Sequence, residues 1–141
     1  MKYRVTKEYV WVGEIPDHPG ALAEKLRALS TGGLNLELIV SRRTGSGRGL
    51  MFISPLRTLE EVDTAERIGL TTQNSFRIVR VSGPNTVGLG ARITGALAAA
   101  GLNVRDYTAA ALGDQHVTNI AFDSDADSDR AKAVLERELA T

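Results

Sequence analysis

Hydrophobic and polar positions follow the same order twice along this chain, at a constant offset of 68 residues. A self-similarity of this length predicts two copies of one supersecondary unit. The matched positions include prolines, glycines and asparagines, which often mark turns and the ends of helices and strands. They align without a gap: Pro16/Pro84, Gly20/Gly88, Leu29/Leu97, Leu34/Leu102 and Asn35/Asn103.

The first copy predicts a strand, a helix, two strands and a second helix. Residues 9–12 are β-branched or aromatic, which favours a strand. Leucines spaced for one helical face follow, and Pro19 is expected at the first helical position, with Asp17 or His18 as the cap. The remaining elements are a glycine stop at 32–33, strands at 34–41 and 50–53 joined by a glycine-rich hairpin at 44–49, and a helix at 58–67 that opens on a capping-box pattern.

The second copy predicts the same order. The expected elements are a strand at 76–81, a helix at 88–100, a hairpin of strands 102–110 and 116–122, and a helix at 128–139. The fold class is therefore α+β, with two ferredoxin-like βαββαβ repeats packed as one unit and antiparallel sheets with helices on one face.

The division into domains is 1–72 for the first repeat and 73–141 for the second. The second repeat ends directly after its last helix, so its last strand is either missing or supplied by the N-terminus. Residues 2–7 are not needed by the first repeat and are one candidate for this strand. The other candidate is a long middle strand at about 71–82 that the two sheets share.

Composition narrows the classes of function. The chain has 141 residues, a net charge of zero and no cysteine, so thiol nucleophiles and zinc-thiolate sites are excluded and a broad polyanion-binding face is disfavoured. The sequence contains no apolar run of membrane length and no apolar signal region, so we expect a cytoplasmic protein.

The segment Asp17-His18-Pro19-Gly20-Ala21-Leu22, followed by Gly33-Leu34-Asn35-Leu36, resembles the ACT-domain family. The second copy has Asn85-Thr86-Val87-Gly88-Leu89 and then Gly101-Leu102-Asn103-Val104. It departs from the family pattern at Val87, which replaces the proline, and at Gly90, which replaces a leucine. The family consists of βαββαβ modules that bind amino acids and regulate metabolic enzymes.

The resemblance implies a stand-alone tandem ACT protein that is non-enzymatic, uses no cofactor or metal, and senses a small amino acid. It implies a homodimer, a metabolic enzyme or regulator as a possible partner, and no binding of nucleic acid or membrane. In the family, ligands lie at the strand-to-helix turn and usually at an interface with another ACT unit. The ligand-binding residues it points to are Asp17, His18, Gly20, Ala21, Leu22 and Asn35, and in the second copy Asn85, Thr86, Gly88, Leu89 and Asn103.

The turn at residues 14–21 is expected to offer groups that suit the carboxylate and the ammonium of an amino acid. A helix N-terminus presents unpaired N–H groups and a positive dipole end, which favour a carboxylate. Gly20 permits close approach to the backbone. The Asn35 amide both donates and accepts, and Asp17 is able to pair with an ammonium.

Several alternatives stay open. In one alternative, Pro19 and Gly20 only shape the helix start and Asn35 caps a turn. In another, the repeats only dimerise or scaffold a partner enzyme and bind no ligand. The arginines at 42, 43 and 48 are interpreted as a solvated hairpin tip rather than a phosphate site, and the aspartates at 123–129 as a helix start rather than a calcium loop, because Arg130 occupies the position of the required glycine. The sequence shows no acid–base pair and no set of nucleophilic residues typical of an enzyme.

Overall fold

The computed structural model describes residues 2–72 and 77–140, which fall into two compact units. The first unit combines residues 2–8 with 77–140, and the second comprises residues 9–72. The elements in chain order are β1 (Arg4–Tyr9), β2 (Trp11–Pro16), α1 (Ala21–Thr31), β3 (Leu38–Gly45), β4 (Arg48–Ser54), α2 (Leu59–Arg67), β5 (Arg77–Pro84), α3 (Leu89–Ala99), β6 (Val104–Leu112), β7 (Gln115–Phe122) and α4 (Asp125–Glu138).

The unit of residues 9–72 is an antiparallel sheet in the order β2-β4-β3. Thr71 adds a bridge to Val12, in which the two residues exchange N–H···O bonds of 2.9 Å. Helices α1 and α2 cover one face of this sheet. The apolar core that they enclose contains Ile15, Leu29, Met51, Ile53, Ala65 and Leu70, with Trp11, Leu22 and Leu26 packed against it.

The other unit is a four-stranded sheet in the order β1-β5-β7-β6. Helices α3 and α4 cover one face, where alternate residues of β5 and β7 enter the core. The fully buried side chains include Val79, Val81, Ile93, Leu97, Ile120, Phe122 and Leu135. Both units are thus α+β with antiparallel hairpins, and the predicted fold class of two ferredoxin-like repeats is confirmed.

The N-terminal segment supplies the outer strand beside β5. Tyr3 is 5% exposed, and its hydroxyl donates to the carbonyl oxygen of Pro84 at 2.9 Å. Gly83 makes room for the ring, since a Cβ there would lie 2.6 Å from the Tyr3 Cδ1. In the structure residues 2–8 lie in one compact unit with residues 77–140, as in the alternative that the N-terminus supplies a strand to the second repeat; β1 joins β5 through contacts some 80 residues away along the chain.

The predicted helices and strands are present, with shifted ends. β3 begins at Leu38 rather than at 34 and continues to Gly45, and α4 begins at Asp125 rather than at 128. The predicted strand at 9–12 is divided between the end of β1 and the start of β2. Phe76, the predicted first residue of the next strand, lies outside the described residues, and β5 runs from Arg77 to Pro84.

The predicted capping pattern at α2 is confirmed. The Thr58 hydroxyl accepts a hydrogen bond from the N–H of Glu61 at 3.1 Å. The Glu61 carboxylate in turn accepts one from the N–H of Arg57 at 2.7 Å, one residue earlier than the usual reciprocal bond. Ser124 caps α4 in the same way, and Asp125 and Asp127 lie in its first turn, so the acidic run is a helix start as interpreted.

Among the described residues, none of the helices combines the length and the apolarity that a membrane crossing requires.

Candidate functional site

The turn between β2 and α1 leaves the first turn of the helix open. The N-cap is Gly20, in the left-handed conformation at φ 90°, and no side chain caps the helix. A Cβ on Gly20 would meet no atom within 4 Å, so the space beside the backbone is empty. The turn therefore presents helix N–H groups to a region that an anionic group can enter.

The predicted cap at this helix is wrong. Pro19 was expected at the first helical position, with Asp17 or His18 as the cap, but α1 begins at Ala21. The reason is the left-handed conformation of Gly20, which bends the chain so that both side chains point to other partners. His18 Nδ1 donates to the Pro19 carbonyl at 3.0 Å, and Asp17 pairs with an arginine.

The turn between β5 and α3 repeats this geometry. Gly88 is the N-cap at φ 82°, again without a side-chain cap and with open space beside it. Leu89 N donates to Thr86 O at 3.2 Å, as Ala21 N donates to His18 O, and Arg92 N donates to Gly88 O at 2.9 Å, as Glu24 N donates to Gly20 O. Val87 in place of proline leaves the turn unchanged, so the glycine rather than the proline determines its shape.

Each turn is tied to the tip of the neighbouring hairpin. Asp17 N donates to Gly47 O at 3.1 Å in one unit, and Asn85 N donates to Asp114 O at 2.7 Å in the other. These bonds bring side chains from the hairpin to the turn. These side chains are not among the predicted site residues, because they lie about 30 residues away along the chain.

In the unit of residues 9–72, the hairpin gives the turn positive charge. Arg43 Nε donates to Asp17 Oδ2 at 2.6 Å, and the Arg43 side chain is 75% exposed. Arg48 lies opposite Pro16 in the β2–β4 ladder, at the end of the sheet where the turn begins. Asp17 already has a cationic partner, so the turn is better suited to a carboxylate than to an ammonium.

In the other unit, the hairpin brings a histidine to the turn. His116 Nδ1 lies 3.4 Å from Asn85 Oδ1, and His116 Nε2 contacts the hydroxyl of Thr118, which is fully buried. In the tautomer that carries its proton on Nδ1, the ring donates to the Asn85 oxygen and accepts from Thr118 at Nε2. Asn85 is exposed, so its amide NH₂ is a candidate donor to an anion.

The two asparagines of the repeat lie at the far ends of the helices. Asn35 and Asn103 are exposed and follow the C-termini of α1 and α3, after turns in which Leu34 N donates to Leu29 O at 3.1 Å and Leu102 N to Leu97 O at 3.0 Å. An 11-residue helix is about 16 Å long. A unit therefore does not bring Asn35 to Gly20, or Asn103 to Gly88, within reach of one amino acid.

The other predicted ligand residues differ in what they can present. Ala21 is 4% exposed and Leu89 is 2% exposed, and their backbone N–H groups already donate to His18 O and Thr86 O, so these two residues shape the turns rather than contact a ligand. Leu22 is half-buried and packs against the core of its unit. Exposed side chains at the turns are those of Asp17, His18, Asn85 and Thr86, and the hydroxyl of Thr86 lies 3.4 Å from that of Tyr3.

Comparisons with known proteins support the fold. No family model matches the sequence, and a comparison with curated proteins gives no relative. Among solved structures, protein BT0572 from Bacteroides thetaiotaomicron is 16% identical, with a TM-score of 0.79 over 96% of this chain and 90% of that one.

Two further neighbours are the regulatory subunits of aspartate kinase from Thermus thermophilus, in a ligand-free form, and from Thermus flavus. The first is 19% identical with a TM-score of 0.65, over 98% of this chain and 97% of that one. The second is 18% identical with a TM-score of 0.59, over 99% and 97%. The chain shares their tandem ACT-type fold along its whole length.

Proposed function

We propose that this chain is a non-enzymatic regulatory protein of the cytoplasm that binds a small amino acid at its strand-to-helix turns. The observation that carries the proposal is the pair of equivalent turns at Gly20 and Gly88. Each presents an uncapped helix N-terminus next to open space, through a glycine in the left-handed conformation. The regulatory subunits of aspartate kinase from Thermus thermophilus and Thermus flavus have the same fold and so support a regulatory role.

The amino acid's carboxylate is the group that the turns bind. First-turn N–H groups and the helix dipole stabilise an anion. Arg43 and Arg48 add positive charge at one turn, and the Asn85 amide adds donors at the other. A carboxylate at either turn thus meets hydrogen-bond donors, and at the Gly20 turn the negative charge of Asp17 is balanced by Arg43, whereas an ammonium there faces the positive ends of the dipole.

The ammonium and side chain of the ligand are contacted by a second copy of the chain. The asparagines at 35 and 103 are exposed and lie about 16 Å from the turns of their own units, so they are free to reach a ligand held by another molecule. Ligand binding then favours one arrangement of two copies, and a partner enzyme or regulator recognises that arrangement.

A scaffolding module that binds no ligand is the second candidate. It is favoured by Val87, which is fully exposed beside the Gly88 turn, and by Leu112, which is 87% exposed at the neighbouring hairpin. Exposed apolar side chains at one end of a unit are typical of protein contacts.

A thermal-shift panel of the twenty amino acids at millimolar concentration separates the two candidates. A ligand at about 100 times its Kd adds about 2.7 kcal/mol to the free energy of unfolding, which raises the Tm of a domain of this size by several degrees. The proposal expects a shift for one chemically related group of amino acids. A panel without any shift contradicts it and favours the scaffold.

A further inference from the structure

The turn between β5 and α3 is held by two side chains that come from other strands of the same sheet. Tyr3, which precedes β1, donates its hydroxyl hydrogen to the carbonyl oxygen of Pro84 at 2.9 Å and lies 3.4 Å from the Thr86 hydroxyl. His116, in β7, places its Nδ1 3.4 Å from the side-chain oxygen of Asn85. Each residue from Pro84 to Thr86 is therefore contacted by a side chain that is distant along the chain.

Packing fixes the position of the Tyr3 ring. The residue is 5% exposed and belongs to the core of its unit. Gly83 makes this packing possible, since a Cβ there would lie 2.6 Å from Cδ1 of the ring and 3.1 Å from Cε1. A ring confined in a close-packed core has few alternative rotamers. Its hydroxyl therefore stays at the turn as long as β1 is paired with β5.

The imidazole of His116 is held from the other side of β5. His116 lies opposite Gly83 in the β5–β7 ladder, one residue before the turn begins. Its Nε2 contacts the hydroxyl of Thr118, which has no exposed surface. A ring held at Nε2 by a buried group presents Nδ1 to the Asn85 side chain in one orientation. Because β1 and β7 flank β5, the turn is supported from both neighbouring strands.

The turn between β2 and α1 has the same backbone shape but lacks the histidine. Ile15 is the equivalent of Gly83, and the residue opposite it in the β2–β4 ladder is Gly49, as His116 is opposite Gly83. Glycine offers no side chain, so the position equivalent to His116 cannot contact this turn through one.

The support of that turn from its second neighbouring strand also differs. On the side of β2 that corresponds to β1, Thr71 bridges Val12, which lies four residues before Pro16. The Asp17 side chain at the turn pairs with Arg43, whose own side chain is 75% exposed. An exposed ion pair fixes its partners less firmly than a buried ring does. The two turns thus share a conformation but not its support.

Support of this kind affects binding because order that exists before the ligand arrives is not lost on binding. A segment that is already fixed in the free protein loses less conformational entropy, so its affinity for a ligand is higher. The effect is reciprocal, since a contact that strengthens binding is itself stabilised by the ligand to the same extent.

From these contacts we infer that Tyr3 and His116 are positioning residues for the carboxylate site at the Gly88 turn, and that Tyr3 couples this site to β1. The inference rests on the proposed function and deepens it, because it names a regulation of one of the two sites. Whatever separates β1 from β5 weakens binding at the Gly88 turn and leaves the Gly20 turn unchanged.

The test titrates the full chain with sodium acetate, the probe carboxylate, in place of sodium chloride at constant ionic strength. Amide NMR signals of residues 88–91 and 20–23 report the two turns in one sample. In Tyr3→Phe the affinity at residues 88–91 should fall about fivefold, the equivalent of the ~1 kcal/mol of one hydrogen bond, and the affinity at 20–23 should stay the same. Tyr107→Phe removes another buried tyrosine hydroxyl of this unit and is the matched control, with both affinities unchanged.

Two variants of His116 separate positioning from packing. His116→Leu removes the donor to Asn85 and should weaken acetate binding at residues 88–91 several-fold. His116→Asn keeps an N–H donor near the position of Nδ1 and should restore most of the affinity.

Amide exchange of residues 4–9 tests the coupling to β1. Acetate should slow this exchange in the wild-type chain and in Tyr107→Phe, but not in Tyr3→Phe, because the link between the site and the strand is then missing. Exchange that responds equally in all three chains contradicts the coupling.

The remaining outcomes distinguish this inference from the function on which it rests. If acetate binds at both turns with the same affinity in the wild type, Tyr3→Phe and His116→Leu, the inference is overturned and the proposed function stands. A loss of equal size at both turns overturns it too, since that would reflect a general loss of stability. If acetate perturbs neither turn of the wild-type chain, the proposed function fails and the inference fails with it.

Discussion

The hydroxyl oxygen of Tyr107 lies 3.4 Å from the point where a Cβ of Gly90 would be. In the other repeat the equivalent positions are Leu22 and Ile39. The repeat with glycine on the helix thus has a tyrosine on the strand, whereas the repeat with leucine on the helix has the smaller isoleucine on the strand.

This exchange predicts strong coupling between the two positions. Gly90→Leu alone should destabilise the protein by about 1–3 kcal/mol, because Tyr107 occupies the space that the leucine needs. Gly90→Leu combined with Tyr107→Ile restores the pairing of the first repeat and should recover most of that loss. A double-mutant cycle by urea unfolding measures the coupling energy, and strict additivity of the two changes would refute the exchange.

The Tyr107 hydroxyl itself gives a second prediction. It is buried, and no hydrogen-bond partner for it is found among the described residues. Tyr107→Phe should therefore be neutral or stabilising by up to about 1 kcal/mol, since a buried hydroxyl without a partner loses its hydration. Tyr3→Phe is the matched comparison: it removes the bond to Pro84 and should cost about 1 kcal/mol. The Tm of Tyr107→Phe should therefore be higher than the Tm of Tyr3→Phe, and the reverse order would contradict the prediction.

The N-terminal strand depends on Gly83. Gly83→Ala would place a Cβ 2.6 Å from the Tyr3 ring and 2.8 Å from the Lys2 carbonyl oxygen, so β1 must move away from β5. We expect a loss of about 2–3 kcal/mol and faster amide exchange along residues 4–9. Gly45→Ala, where a Cβ meets nothing within 4 Å, is the control and should leave exchange at these residues unchanged. Equal protection in the two variants would show that β1 does not depend on this contact.

The ion pair between Arg43 and Asp17 should affect ligand affinity more than stability. Exposed ion pairs contribute about 0–1 kcal/mol to folding, so Arg43→Gln should barely change the Tm. The same change removes a positive charge from the turn and should weaken binding of the selected amino acid several-fold at low salt. Arg67→Gln breaks another exposed pair, with Asp63 on α2, and serves as the control for calorimetric titration. Equal affinities of the two variants for the amino acid would show that Arg43 does not contribute to binding at this site.

Much of the fold was predictable from the sequence because the repeated prolines and glycines mark where strands and helices end. Pro16 and Pro84 end strands, and Gly33 and Gly101 follow helices, where they take φ values of 81° and 73°. Local patterns of this kind determine which elements form. They do not determine which sheet the N-terminal strand joins, since its contacts with β5 lie some 80 residues away along the chain.

The candidate site was predictable only in part, for the same reason. The turn glycines were found from their motif, but their left-handed conformation displaced the expected caps. Arg43 and His116 reach the turns through hairpin tips, by contacts across 26 and 31 residues that no local pattern indicates. Gly20 and Asn35 are far apart because they lie at opposite ends of α1, whereas the motif that contains both does not indicate this separation.

The central claim is that the Gly20 and Gly88 turns bind the carboxylate of an amino acid, and one titration tests it most directly. The amino acid selected by the thermal-shift panel is titrated calorimetrically into the double variant Gly20→Ala, Gly88→Ala. The control is Gly69→Ala, Gly101→Ala, whose glycines also have positive φ and open space beside them, so both variants carry a similar backbone strain of about 1–2 kcal/mol per site. The account predicts wild-type affinity for the control and at least a tenfold loss for the turn variant. Equal affinity of the two variants would contradict it.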